Sequence, residues 1–254
     1  MTITLDRPKA LNTLNLETVR GIRRAMDDAA ASDDVRLILF RGSGGQAFCA
    51  GGDIKFMSQA VRDRDVDRAL RFLREEYDLD LLVRRFPKPV VVIVHGITMG
   101  GGLGLAAGAD LVLATEHEIR GAECVRLGFA DCLIPSVQLD EAIGVIERAG
   151  PGLPLEKDRA TKEIRALLEP ITEIDIPTNN DMDQWVREYF EGKASVCELL
   201  NNLRQCSIQG TLCDGVFASL SERSPTGVVL TLDLLRHNEH QPMKSVCVTT
   251  NISP

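Results

Sequence analysis

Ala50-Gly51-Gly52-Asp53-Ile54-Lys55 follows the apolar pair Phe48-Cys49, and Met99-Gly100-Gly101-Gly102 comes soon after the apolar run Val90–Val94. Each glycine set leaves a strand-like segment and precedes one that can start a helix, so both read as strand–turn–helix junctions. Glycine tolerates the backbone angles such turns demand and lets a ligand come close to the main chain. The first N–H groups of a helix lack intrahelical partners and carry partial positive charge. Two such turns can therefore aim N–H groups at one point and hold a developing negative charge there. Gly52 and Gly101 are the two donors selected by this reading. The spacing equally admits glycines that serve only tight turns and close helix packing.

Outward from these turns, the sequence predicts alternating strands and helices. Met1–Asp6 reads as a strand ending at Arg7-Pro8, and Asn15–Ser32 as an amphipathic helix with Leu16, Val19, Ile22 and Met26 on one face. Val35–Arg41 is a short buried strand, and Phe48–Asp53 a tight loop. Asp67–Phe86 is a helix stopped by Pro87-Lys88-Pro89, with Leu70, Leu73, Tyr77 and Leu81 sharing one side. Glu75 and Glu76 alternate with Arg71, Arg74 and Arg84 and read as helix-surface ion pairs. Val90–Val94, Gly101–Ala109 and Leu111–Thr115 continue as strand, small-residue helix and strand. This order predicts an α/β fold with parallel crossovers. Helices at Gly121–Gly128 and Leu139–Gly150 follow, and the chain is mostly helical from Leu155 to His237. The expected division is an α/β core over 1–135 and a helical region over 136–254.

Among 254 residues, 44% are hydrophobic, 26% charged and only 4% aromatic, so Val, Leu, Ile and Ala must build the core. A net charge of −8 argues against a nucleic-acid partner, which would call for a basic face. The 7 cysteines are odd in number and form no C-x-x-C, which predicts neither a disulfide framework nor a zinc site and fits a reducing compartment. No signal-peptide pattern opens at Met1. The longest apolar run, Val90–Ala109, contains His95 and six glycines and reads as strand–turn–helix rather than a membrane span. Gly42-Ser43-Gly44-Gly45-Gln46-Ala47 fits a dinucleotide-binding turn, but no acidic strand end lies about 20 residues beyond it. Cys49 reads as a small buried hydrophobe and His95 as a satisfied core histidine or a substrate contact. Lys55 is either solvated or placed to meet a phosphate.

Three motifs fall in order: Arg7-Pro8-Lys9-Ala10-Leu11-Asn12-Thr13-Leu14, Ala47-Phe48-Cys49-Ala50-Gly51-Gly52-Asp53-Ile54-Lys55, and His95-Gly96-Ile97-Thr98-Met99-Gly100-Gly101-Gly102-Leu103-Gly104. Together they resemble the enoyl-CoA hydratase/isomerase (crotonase) superfamily. Phe72-Leu73-Arg74-Glu75-Glu76-Tyr77 and Ser221-Glu222-Arg223-Ser224-Pro225-Thr226 narrow the resemblance to the subgroup that cleaves the thioester of 3-hydroxyisobutyryl-CoA in valine breakdown. The resemblance implies a crotonase (ClpP-like) fold, a ββα-type spiral core with a C-terminal helical region. It implies an acyl-CoA substrate and no metal or redox cofactor. It places the oxyanion hole at Gly52 and Gly101, and CoA contacts at Lys9, Ala10, Leu11, Ala50, Gly51, Asp53, Ile54, Lys55 and Gly100. Hydratases of the family carry a water-activating Glu two residues past the triple glycine. Gly104 stands there in this chain, which favours a hydrolase over a hydratase or isomerase. Membrane and nucleic-acid partners are not expected, a homo-oligomer is left open, and the compartment follows the source: cytoplasm in a bacterium, mitochondrial matrix in a eukaryote.

The family follows Ala-Thr-Glu with a strand, a Pro-Glu turn and a glycine- and proline-rich loop that bears its acid–base carboxylates. Here Leu113-Ala114-Thr115-Glu116 runs almost directly into Arg120–Gly128, which resembles the stretch beyond that segment. Part of the first strand and the C-terminal tail after Met243 also lack counterparts. The expected acid–base carboxylate is therefore not located. Glu116, Glu118 and Asp131 are candidates that read more simply as surface charges. A chain impaired in turnover, or one that only binds acyl-CoA, is the alternative this departure raises.

Overall fold

The computed structural model describes residues 1–116, 121–126, 128–172, 180–206 and 212–238. Its first unit, Met1–Pro177, contains seven strands among the described residues. They are β1 (Thr2–Leu5), β2 (Ile38–Gly42), β3 (Ala47–Cys49), β4 (Val90–Val94), β5 (Ile97–Thr98), β6 (Leu111–Ala114) and β7 (Cys132–Leu133). Five form a sheet in the order β1-β2-β4-β6-β7, and every neighbouring pair is parallel. β3 and β5 pair in parallel as a second, two-stranded sheet. Helices cover both faces of the large sheet, which is why its strands are nearly continuous apolar runs. Successive side chains still alternate. Ile38, Phe40, Val90 and Val92 enter one core, while Leu39, Val91, Ile93 and Leu111 enter the other.

The first core is closed by α1 (Leu16–Ala31), α2 (Ile54–Arg62), α3 (Val66–Arg85) and α4 (Gly101–Gly108), with α5 (Gly121–Arg126) packed near it. Asn15 starts α1 by accepting the Thr18 N–H at 2.8 Å. Val19, Ile22, Met26 and Ala29 form its buried stripe, at the spacing the sequence predicts. The second core is closed by α6 (Leu139–Ala149) and α7 (Lys157–Leu168), through Ala142, Ile146, Ala160, Ile164 and Leu168. These two helices lie beyond residue 135, in the stretch the sequence reading assigns to the helical C-terminal region, and they pack on the sheet of the first unit.

The second unit, Thr178–Pro254, holds α8 (Asn180–Tyr189), α9 (Val196–Arg204), α10 (Leu212–Ser221) and α11 (Pro225–Asn238). Tyr189, Leu199, Leu203 and Cys213 make its small core, with Trp185 against it. Cys206 and Cys213 are joined by a disulfide, where the sequence reading expects no disulfide framework and a reducing compartment. The end of α9 and the start of α10 bring their Cα atoms to 6.4 Å, within bridging range, a proximity that cysteine spacing alone does not reveal.

Two sequence expectations for the first unit are corrected. β3 replaces part of the expected loop, and the helix expected to start after the first glycine turn is α2, whose nine residues the sequence reading did not bound. The inner face of α3 is Ala69, Phe72, Glu76, Leu79 and Val83, not the side bearing Leu70, Tyr77 and Leu81. A carboxylate in the buried stripe broke the apolar period and displaced the apparent face.

Between β1 and α1 the chain makes a single 3-10 turn, Pro8–Ala10, followed by Leu11 and Asn12 with φ of 50° and 55°. Asn12 is buried, and its amide uses both ends. Oδ1 accepts the Arg7 N–H at 2.9 Å, while Nδ2 donates to Ser43 O at 2.9 Å and Ala47 O at 2.8 Å. Asparagine adopts left-handed backbone more readily than most residues, which suits it to this corner.

Candidate active site

Three backbone hydrogen bonds lay the segment 11–14 along 50–53: Ala50 N donates to Leu11 O (3.0 Å), Leu14 N to Gly51 O (2.8 Å) and Asp53 N to Leu14 O (2.8 Å). The two stretches expected to contact CoA are thus neighbours. Lys9, Ile54 and Lys55 are exposed along them, while Ala10, Leu11 and Ala50 are half-buried. The Asp53 carboxylate is occupied by structure. It caps α2 through the Lys55 and Phe56 N–H groups and meets Arg7 Nη2 at 3.1 Å. Arg7 in turn donates to Thr13 O at 2.6 Å.

The two glycine turns abut. A β-carbon on Gly51, whose φ is +95°, would lie 3.0 Å from Met99 O, 3.3 Å from Gly100 Cα and 3.5 Å from Gly101 N. One on Gly100, with φ of +53°, would lie 3.2 Å from Gly51 Cα and 3.9 Å from Gly52 N. Side chains at 51 and 100 would wedge the turns apart, so glycine is needed for close approach as well as for backbone angle. Gly101 is the first residue of α4. Among the described residues, neither the Gly52 N–H nor the Gly101 N–H donates a hydrogen bond.

Behind the turns, α3 lies directly on the glycine face of α4. At Gly52 a β-carbon would sit 3.1 Å from Phe72 Cε1 and 3.8 Å from Glu76 Oε1. At Gly101 it would overlap Glu76 Oε1 and stand 3.1 Å from Glu76 Cδ. At Gly104 it would overlap Asp80 Oδ2 and stand 2.8 Å from Asp80 Cγ. At Gly108 it would come 3.1 Å from the Asp80 main-chain oxygen. Each absent side chain on α4 is space taken by α3, and the space beside 101 and 104 is taken by carboxylates.

Sequence reasoning did not find these two groups. Glu76 is only 6% exposed, not a surface ion-pair partner. Its neighbour Glu75 is the one that pairs, with Arg20 Nε and Nη2 at 2.7 and 2.6 Å. Burial pushes the Glu76 carboxyl up. Burial, with the Glu76 charge adding, pushes Asp80 up to about 7. Among the described residues no hydrogen-bond donor or cation engages either one, and Asp80 Oδ1 is a buried oxygen with no partner. The usable signal was the i, i+4 spacing of two carboxylates on one row with Phe72.

The other candidates fall elsewhere. Cys49 is fully buried, with its thiol pushed up to about 11, chiefly by burial. His95 Nε2 lies 2.8 Å from Gly44 O. Asp131 accepts the Val112 N–H at 2.8 Å and pairs with Arg165 at 2.6 Å. Glu116 accepts from Ser136 N at 2.7 Å. Both hold structure, and Glu118 lies outside the described residues.

A sequence model described as enoyl-CoA hydratase/isomerase matches residues 1–120 and again 115–251, and the two matches meet where the sequence departs from the family pattern. A Mus musculus protein named 3-hydroxyisobutyryl-CoA hydrolase, mitochondrial, is 43% identical over 117 residues, 46% of this chain and 30% of that protein. The Homo sapiens protein of the same name is 44% identical over 114 residues, 45% of this chain and 29% of that protein. The matched stretch thus spans under a third of those relatives' length. Among solved structures, a carnitinyl-CoA dehydratase from Mycobacterium thermoresistibile superposes with a TM-score of 0.81 at 24% identity, covering 97% of this chain and 79% of that one. An enoyl-CoA hydratase from Rhodobacter sphaeroides gives 0.79 at 23%, with the same coverage. The chain has the fold of these two proteins.

Proposed function

The chain belongs to the enoyl-CoA hydratase/isomerase family, and from that premise we propose that it binds an acyl-CoA and hydrolyses its thioester, with 3-hydroxyisobutyryl-CoA as substrate. The observation that carries this reading is the abutting of the two glycine turns with both N–H groups uncommitted. A thioester carbonyl oxygen seated there gains negative charge as the carbon is attacked, and the Gly52 and Gly101 N–H groups hold that charge without reorganising. Donors of this kind lower a barrier by about 3–4 kcal/mol each. The CoA chain runs along Lys9–Leu11 and Ala50–Lys55, with the exposed Lys55 ammonium near its phosphates. The reaction consumes only water and calls on no metal or redox cofactor.

The names of the mouse and human relatives support the acyl group, and Gly104 supports hydrolysis over hydration. Those relatives are named mitochondrial, so a eukaryotic chain of this kind is assigned to the matrix. Among the described residues no helix is long and apolar enough to cross a membrane.

The test is release of free CoA thiol from 3-hydroxyisobutyryl-CoA, run beside loss of enoyl absorbance from crotonyl-CoA. Thiol release without hydration supports the hydrolase. Hydration without thiol release replaces it with a hydratase. Saturable binding with neither reaction replaces it with an acyl-CoA-binding protein, the reading favoured by the break in the family match at 115–120.

A further inference from the structure

We propose that Asp80 is the general base of this site, taking the proton of the attacking water, and that Glu76, one turn earlier on α3, is the positioning residue that holds it to that role. The proposal rests on the acyl-CoA hydrolase reading above. Its geometric ground is the α3–α4 contact. The Asp80 carboxylate fills the side-chain space of Gly104, one turn of α4 beyond Gly101, whose N–H is one of the two proposed oxyanion donors. The acid–base carboxylate missing from its familiar segment is supplied by a different helix.

Burial without a partner is the second ground. A buried carboxylate is normally paired with a cation or saturated by donors, because stripping its water is costly. Glu76 is 6% exposed and Asp80 Oδ1 is sealed from solvent, yet among the described residues neither meets a donor or a cation. No hydrophobic face or ion pair explains such groups, and perturbed carboxylates of this kind gather where chemistry is done. Arg84, one turn beyond Asp80 on α3, is exposed, and among the described residues the elements packed on α3 bring no counter-charge to either carboxylate. α4 carries no ionisable side chain, and α1 sends Arg20 outward to Glu75. On α2, Lys55 is exposed, and β3 offers only the Cys49 thiol, itself held protonated by burial. A value of about 7 for Asp80 leaves it part ionised at neutral pH, where a base can both accept and return a proton.

A water O–H bond breaks and its proton passes to the Asp80 carboxylate, while the water oxygen bonds to the thioester carbon. The carbonyl electron pair moves onto oxygen, between the Gly52 and Gly101 N–H groups. That pair then re-forms the carbonyl and the C–S bond breaks. The departing CoA thiolate takes the proton from Asp80. Thioester and water become acid and thiol, with no change of oxidation state.

The test uses the full chain with 3-hydroxyisobutyryl-CoA, measuring thiol release from pH 5 to 9, together with NMR titration of 13C-labelled aspartate and glutamate side chains. Asp80→Asn should lower kcat by about 100-fold or more while KM stays within about threefold, and should erase the rise of rate through pH 7. Glu76→Gln should move that inflection and the Asp80 titration midpoint downward together, which a merely structural residue would not do. An Asp80→Asn protein with parental kcat and pH profile overturns the proposal. If the parent releases no thiol, the hydrolase reading fails and the titration decides the rest. An Asp80 midpoint near 4, unmoved by Glu76→Gln, overturns the pairing, and one near 7 that falls in Glu76→Gln upholds it.

Discussion

Gly102→Ala should separate the two glycine turns while leaving both intact. A β-carbon at 102 would stand 2.6 Å from Cys49 Cβ and 3.1 Å from the Cys49 carbonyl carbon, and would overlap the Cys49 oxygen. Carbon atoms rest at about 3.5–4.0 Å, so α4 and β3 must part by roughly 1 Å. Main chain, which cannot swing aside, bounds the gap on the β3 side. The same Cys49 oxygen accepts the Met99 N–H at 3.0 Å, so the bond that registers β5 on β3 is strained as well. Overpacking of this kind costs about 1–3 kcal/mol, against a helix-propensity gain of at most about 1 kcal/mol. A net loss of about 1–2 kcal/mol should lower Tm by about 3–8 °C for a unit of this size. A displacement of about 1 Å between Gly52 and Gly101 should cut thiol release by about 100-fold. Scanning calorimetry beside Gly152→Ala, where nothing lies within 4 Å, supplies the control. A Gly102→Ala protein melting at or above the parent would refute the argument.

Four further expectations are open to measurement. Asp80 binds a proton in the fold at pH values where the unfolded chain has lost it, so this group works against folding above pH 7 and the loss is relieved as pH falls toward 4; urea midpoints at pH 5 and pH 8 should differ less in Asp80→Asn than in the parent. Exposed Cys197 should alkylate at pH 7.5 while Cys49 stays unmodified in the native protein, as read by peptide mass; equal labelling would contradict the burial of Cys49. Gly215→Ala, in the middle of α10 with no atom within 4 Å, should stabilise the second unit by up to about 1 kcal/mol, and a lower denaturation midpoint for that unit would count against it. Lys55→Glu should weaken CoA esters more than pantetheine esters by calorimetry, and equal weakening would remove Lys55 from the phosphates.

The parallel sheet was legible because Val90–Val94 and Leu111–Ala114 are short apolar runs bounded by turn residues, and α1 because its buried positions keep a clean helical period. β3 was not, since three residues carry too little pattern to register, and of α2 only the start was foreseen, from the glycine turn before it. The glycine turns could be found because only glycine satisfies their angles and contacts. The carboxylates behind them could not. Glu76 and Asp80 are polar residues on an arginine-rich helix, and such residues ordinarily face water. Their depth is set by how near α4 approaches, and that depends on glycines some two dozen residues further along the chain. The same logic hid the Cys206–Cys213 bond, which follows from where two helices end.

The Asn12 amide ties Arg7, Ser43 and Ala47 to one side chain, and the backbone bonds of Leu11 and Leu14 fasten the glycine strip to the same corner. The two edges of the proposed nucleotide track are therefore riveted into a single plate. On that proposal, a thioester would meet a preformed edge rather than one that has to be prised open.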